Sequence, residues 1–185
     1  FGKAPNAFLT AQAHRLPAQA RVLAVADGEG RNGVWLAQQG HRVTGVDIAE
    51  EGQAKAARLA AECGVEVELV LADLATWNWP EAAFDAVVAI FIQFADPALR
   101  EQIFAGMRKA VRPGGLILLQ GYRPEQIAYG TGGPRVAENL YTQAMLRNAF
   151  AGWPIEHLAS HDSEIEEGAG HKGMSALIDL VVRRP

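Results

Sequence analysis

The sequence predicts an α/β fold: a doubly wound, seven-stranded mixed sheet with helices on both faces and a C-terminal antiparallel hairpin. Three observations carry that prediction. Short apolar runs of β character alternate with longer helical stretches over residues 21–122. The run "FDAVVAIF" (84–91) is almost unbroken in hydrophobicity, as a strand covered on both faces must be. Beyond residue 122 the alternation gives way to a loop, a helix and two more strand-like runs. Repeated strand–helix–strand units imply parallel pairing with right-handed crossovers.

Each element follows from local pattern. "APNAFLTAQAHRL" (4–16) reads as an amphipathic helix placed to lie across a site at the strand ends. "RVLAVA" (21–26) is a strand, and "GVWLAQQG" (33–40) a helix closed by Gly40. "HRVTGVD" (41–47) is a second strand, followed by the Ala-rich helix 49–64 with acids early and Gly64 as its stop. "VEVELVLAD" (65–73) alternates as a third strand, and 84–91 is the fourth. In "DPALREQIFAGMRKAV" (96–111) Asp96 caps and Pro97 takes the first helical position. "RPGG" (112–115) is a turn into a fifth strand, "LILLQGY" (116–122). A glycine-rich loop (123–135), a helix (136–150) and two strand-like runs joined by "EEGAGHK" complete the chain.

Composition bounds the function. A chain of 185 residues, 49% of them hydrophobic, supports one substantial core, so a single domain over 1–185 is expected. The net charge is −4 and no basic run exceeds Arg183 and Arg184, which excludes a phosphate-backbone footprint and hence nucleic acid as substrate. No apolar stretch approaches the ~20 residues of a bilayer span, so no membrane association and a cytoplasmic location are expected. The single cysteine, Cys63, has no partner for a disulfide and no Cys or His at zinc spacing, and it reads as a small apolar residue near a helix end. The first residue is Phe and no signal peptide is visible, so an N-terminal piece is expected to lie outside this sequence.

The first strand runs into "DGEGRNG", a G-x-G-x-x-G at Gly28, Gly30 and Gly33 that opens a helix. Such a turn commonly cradles a pyrophosphate on a helix N-terminus, but here Asp27 and Glu29 stand among the glycines. A carboxylate ~5 Å from a phosphate charge costs on the order of 3 kcal/mol at an effective dielectric of ~20. Unless the carboxylates point away, the loop suits a ligand that carries ammonium and sulfonium groups and no phosphate. Asp47 ends the second strand, where an acid accepts from ribose hydroxyls; capping the following helix is the rival reading. Asp73 closes the third strand in "ADL", at the height of an adenine amino group, with Ile48 and Leu74 to sandwich the ring; capping its own loop is the alternative.

With these residues in place, the chain resembles the class I S-adenosylmethionine-dependent methyltransferases, a Rossmann-like family. "VLAVADGEGRNGVWLAQQGHRVTGVDIA", "ADL", "FDAVVAIF" and "VRPGGLILLQGY" stand in that family's order and spacing. "PNAFL", "GEGRN", "GYRPEQIAYGTGGP" and "EEGAGHKG" resemble the small bacterial methyltransferases grouped with tellurite-resistance proteins. The resemblance implies S-adenosyl-L-methionine as cofactor, with contacts from Ala26, Asp27, Gly28, Gly30, Arg31, Asn32, Asp47, Ile48, Asp73, Leu74 and Ile90. Two departures stand out: Ala24 and Ala26 replace the family's acid and first loop glycine, which points to Asp27, Arg31 and Asn32 for the methionine end. Between the third and fourth strands the family's short helix is reduced to "ATWNWPEAA", in which Trp77 and Trp79 read as packing residues or as an adenine wall.

Methyl transfer from a sulfonium needs alignment more than acid–base chemistry, so no catalytic residue is named. The acceptor-side candidates are Phe91, Gln93, Tyr122, Arg123, Tyr129 and His171, and Arg123 with His171 would suit an anion. No Asn/Asp-Pro-Pro-Tyr/Phe run follows the fourth strand and no Pro-Cys nucleophile is present, which leaves a small molecule or small anion as acceptor. His157 and His161 lie four apart on a strand, ~13 Å by strand rise, so no metal site is expected. A nicotinamide-dependent oxidoreductase would need a Tyr-x-x-x-Lys or a His-acid pair, and no Tyr-x-x-x-Lys occurs. A cofactor-binding module without catalysis is the other alternative. The expected assembly is a monomer or weak homodimer.

Overall fold

The structure, a computed structural model, describes residues 2–168 and 172–185. Its strands are β1 (Arg21–Val25), β2 (Arg42–Asp47), β3 (Glu68–Leu71), β4 (Phe84–Ile90), β5 (Val111–Tyr122), β6 (Ile155–Glu166) and β7 (Lys172–Arg183). They form one seven-stranded sheet in the order β3-β2-β1-β4-β5-β7-β6. The first five are parallel and β7 runs antiparallel to both β5 and β6. The mixed sheet and its terminal hairpin are as expected.

The near-continuous apolar runs are explained by burial on two faces. Leu23, Val25, Val87, Ala89, Ile117 and Leu119 point to one core, and Val22, Ala24, Ala86, Val88, Leu116 and Leu118 to the other. The first core is closed by α4 (Pro97–Ala110) and α6 (Gln143–Ala149) through Ile103, Phe104, Met107 and Leu146. The second is closed by α1 (Ala7–Gln12) and α2 (Arg31–Gln38) through Phe8, Leu9 and Leu36. Beside α2 lies α3 (Glu50–Glu62), which buries Ala56 and Ala60 and ends at Cys63. As expected, the Asp96 side chain caps α4 by accepting from the Leu99 amide at 2.8 Å.

Several boundaries differ from expectation, each for a tertiary reason. The helix expected over 136–150 is broken: a 3-10 turn at Ala137–Asn139 precedes an extended segment, and α6 begins only after Thr142. Within that segment the Tyr141 amide donates to the Tyr122 carbonyl at 2.9 Å and the ring is fully buried, so an inter-element bond replaces helical continuation. The third strand shrinks to four residues, because β3 is an edge strand and only Glu68–Leu71 faces β2. The turn at 112–115 is absorbed into β5 as an irregularity, pairing with β4 at Val111 and resuming at Leu116. The loop after β5 contains a single helical turn, α5 (Gln126–Tyr129), closed by Gly130 in the left-handed region. Trp79 is buried against Gly106 and donates to the Leu74 carbonyl at 3.3 Å.

Strand order reverses between β1 and β4. In open α/β sheets, ligands bind outside the carboxyl ends of the strands at such a point.

Candidate functional site

At that reversal β1 and β4 end in residues of unusual backbone. Ala26 has φ 50° and Phe91 φ 55°, both in the left-handed region that costs an L residue strain. The turn after Ala26 is braced from within: the Gly30 amide donates to the Asp27 carbonyl at 2.9 Å, and Gly30, at φ 83°, forms the start of α2. A methyl group at Gly30 would lie 2.6 Å from the Ala56 Cβ, so this glycine also sets how closely α2 and α3 approach.

Asp27 turns its carboxyl inward, accepting from the Gly33 amide at 3.1 Å through Oδ2 and 3.3 Å through Oδ1. A side chain at Gly33 would collide with that carboxylate, which accounts for the third glycine of the motif. Burial pushes the Asp27 carboxyl up to about 7, against the opposing pull of the Gly33 amide and Arg31. Glu29 pairs with Lys55 at 2.6 Å.

Asp47 ties the two loops together. Its Oδ2 accepts from the Gly28 amide and its Oδ1 from the Ala49 amide, each at 2.8 Å. A carboxylate has about four acceptor directions, so two remain for a ligand. Asp73 similarly accepts from the Ala75 amide at 2.9 Å and is exposed. Asp47 does not cap α3, whose N-cap Ala49 makes no side-chain cap bond; it braces the turn before that helix, while Asp73 caps its own loop, and both acids also line a cleft.

Two adjoining cavities occupy the strand ends. The larger, of about 490 Å³, is mainly apolar: Ile48, Leu74, Phe94 and Leu99 form walls, with Asp47 and Asp73 at its rim. Ile48 and Phe94 are 66% and 59% exposed, as expected of side chains that await a flat apolar ligand. The smaller, about 100 Å³, is lined by Asp27, Glu29, Arg31, Asn32 and Ile90. Ala26, Gly28 and Phe91 belong to both cavities, so the two adjoin along these residues. Every residue singled out for the cofactor thus lines one or the other except Gly30, which shapes the turn behind them.

The acceptor-side candidates divide. Phe91 stacks on Tyr122 with ring centroids 4.7 Å apart at 22°. Buried Gln93 spends its amide on the Tyr122 backbone, donating to the carbonyl at 2.7 Å and accepting from the amide at 2.6 Å. The Tyr122 ring is buried, and burial together with nearby Glu167 drives its phenol far above the usual range. These three are brought together beside the cavities. Arg123 and Tyr129 instead meet on Asp162 of β6, through an Arg123 ion pair and a 3.1 Å bond from the Tyr129 hydroxyl, and neither lines a cavity. His171 lies outside the described residues. Among the described residues no His, Cys, Asp and Glu side chains cluster as a metal site.

Sequence reasoning did not single out Phe94 or Leu99 as cleft walls, nor a buried polar network behind the loop. There Arg31 pairs with Glu167 of the hairpin tip at 2.6 Å. Asn6, fully buried, donates its side-chain amide to Glu167 at 3.0 Å and to Gln120 at 2.6 Å, and its backbone amide to the Asn32 side chain at 2.9 Å. Gln120 continues to Asp179 at 2.7 Å, and Asp179 to His161 at 3.0 Å.

Comparison with known proteins agrees with this geometry. Residues 22–115, just over half the chain, match a methyltransferase domain, and the chain belongs to that family. A demethylmenaquinone methyltransferase of Thermus thermophilus is 34% identical over 113 residues, covering 60% of this chain and 51% of that protein. The chain thus spans about half the length of that curated relative. Among solved structures, TehB from Haemophilus influenzae aligns with a TM-score of 0.77 at 17% identity, over 96% of this chain and 61% of that one. A SAM-dependent methyltransferase from Methanosarcina mazei aligns with a TM-score of 0.72 at 17% identity, over 93% and 96% of the two chains. At these identities the structures speak for the fold.

S-adenosylmethionine, the cofactor of such domains, fits the residues present. An apolar cleft lined by Ile48 and Leu74 is of a kind that would accept a flat base, and the remaining acceptor directions of Asp47 and Asp73 would suit ribose hydroxyls and an exocyclic amine. Beside the smaller cavity Glu29 is paired with Lys55 and Asp27 turns inward onto the Gly33 amide, so the charge argument against a pyrophosphate and for a cationic group rests on Asp27 alone.

Proposed function

We propose that this chain is an S-adenosylmethionine-dependent methyltransferase, of the type that resembles tellurite-resistance methyltransferases, acting on a small-molecule or small-anion acceptor. The observation that carries the reading is that the two cavities adjoin along Ala26, Gly28 and Phe91, with acids at one end and apolar walls at the other. The proposed cofactor residues are Ala26, Asp27, Gly28, Gly30, Arg31, Asn32, Asp47, Ile48, Asp73, Leu74 and Ile90. Phe91 is proposed to wall the acceptor side, with buried Tyr122 stacked behind it and Gln93 holding Tyr122 in place.

When bound, the cofactor supplies a methyl group on a sulfonium, a leaving group that is already activated. The chain's task is orientation, which alone supplies several kcal/mol of a bimolecular barrier. Ile48, Leu74 and Phe94 fix the plane of the base, Asp47 fixes the ribose, and the rigid turn at Ala26 fixes the position of the sulfur end. Phe91 lines both cavities and stacks on Tyr122, which fixes the position of its ring at the acceptor side. The Tyr122 phenol, driven upward by burial, stays protonated and backs that ring rather than acting as a base.

A single domain over 1–185, a cytoplasmic location and a monomeric or weakly dimeric state belong to the same proposal. No helix among the described residues is long and apolar enough to cross a membrane. The test is calorimetric titration with S-adenosylmethionine, S-adenosylhomocysteine and NAD in parallel. Micromolar binding of the first two without NAD supports the reading, and an acceptor screen follows. Binding of NAD alone refutes it.

A further inference from the structure

Among the described residues, the small cavity beside the glycine turn is lined by one cation and two anions, and their pairing decides what it selects. Arg31 is not available as a free cation. Its side chain is 9% exposed, and its Nη2 donates to Glu167 Oε2 at 2.6 Å, while Nη1 lies 3.4 Å from the Ala4 carbonyl. Glu167, 10% exposed, is held from other directions as well: the Asn6 side-chain amide donates to its two oxygens at 3.0 and 3.2 Å, and the Ala7 amide at 3.3 Å. A ligand carboxylate would have to displace a carboxylate that several donors already retain, inside a buried pair where removal of one partner strands the other. Glu29 is likewise taken by Lys55 at 2.6 Å. Among the described residues the Asp27 carboxyl accepts only from the Gly33 amide and pairs with no cation in hydrogen-bond contact, so it sets the sign of the cavity.

We infer that Glu167 is a specificity-determining residue: by neutralising Arg31 it makes the cavity select the ammonium and sulfonium groups of the ligand and leaves the amino-acid carboxylate almost without effect on binding. The chain therefore takes decarboxylated S-adenosylmethionine, a dication, about as well as S-adenosylmethionine itself. This rests on the cofactor reading above. Glu167 acts through Arg31 and through the segment at Asn6, not by touching the reacting atoms.

The experiment is calorimetric titration of the folded wild-type chain, of Glu167→Gln and of the double variant Arg31→Met/Glu167→Gln, with S-adenosylmethionine and its decarboxylated form. Circular dichroism checks folding. In wild type the two dissociation constants are expected to agree within five-fold. Glu167→Gln frees the Arg31 charge, and the preference for the carboxylated ligand should grow at least five-fold over the wild-type ratio. The double variant removes both charges and should return to the wild-type ratio. A wild-type preference for S-adenosylmethionine above five-fold overturns the inference, as does a ratio that Glu167→Gln leaves unchanged. Where the single variant does not fold, wild type and the double variant still decide, because a carboxylate held by Arg31 would lose its preference in the double variant. Failure of wild type to bind either ligand or S-adenosylhomocysteine overturns the cofactor reading as well, and so is distinct from a failure of this inference alone.

Discussion

Asp27 makes stability and cofactor binding respond to pH in opposite directions. Its carboxyl is raised by burial from the ordinary 3.8 to about 7 in the folded chain. Between about pH 4 and 7 the folded state therefore holds a proton that the unfolded state has released. Stability from this group is full below pH 4 and falls by about 1.4 kcal/mol per pH unit up to 7, for a total of about 4 kcal/mol. Binding of a cationic ligand has the reverse dependence, because it favours the ionised carboxylate. Asp27→Asn, which keeps an acceptor for the Gly33 amide, should abolish both trends and stabilise the ligand-free chain at pH 8. Urea denaturation of the two proteins from pH 5 to 9 checks the first trend, and titration in buffers of different ionisation enthalpy checks the second through proton release on binding. Parallel pH profiles of stability in wild type and Asp27→Asn would refute the reasoning.

Other perturbations separate ligand contacts from scaffolding. Asp47→Ala should weaken S-adenosylmethionine binding by about 1.5–3 kcal/mol per charged hydrogen bond lost, read by calorimetry on a folded variant; unchanged affinity would mean that the ribose lies elsewhere. Gln93→Ala removes both bonds to the Tyr122 backbone and should lower stability by about 2 kcal/mol in denaturant titration. Gly30→Ala combines a left-handed backbone with a Cβ 2.6 Å from Ala56, so thermal melting should fall and cofactor affinity with it. Below about pH 4 stability should drop as Asp85 protonates: although burial opposes it, the Arg21 amide and Arg112 hold that carboxyl below its usual value, and Asp85→Asn should blunt the acid limb.

The parallel core was legible because burial on two faces imposes continuous hydrophobicity, as in Val87–Ala89 and Leu116–Leu119, and because the first three strands each end at or just before an acid, the first of them in a glycine turn. Asp47 and Asp73 were legible for the same reason. The break before Thr142 was not, since residues 136–150 have helical spacing and the bond from Tyr141 to Tyr122 is tertiary. The Arg31–Glu167 pair joins residues 136 apart in sequence, and no local pattern announces a bond between two loops. Asp27 shows the limit of the charge argument: its presence near the ligand was readable, but its inward turn onto the Gly33 amide depends on the geometry of α2.

The sheet order also governs assembly. Among the described residues β6 pairs as a strand only with β7, and β7 joins it to β5. The β6–β7 pairing is local in sequence and can form on the ~1–10 μs scale of a hairpin, whereas the β5–β7 pairing spans a longer loop and closes more slowly. Because Glu167 rides on the tip of that hairpin, Arg31 acquires its counter-charge only when that closure is complete. A chain caught before that step already has its apolar cleft but presents an unmatched cation beside it, so a partly assembled molecule would recruit stray anions that the finished one ignores.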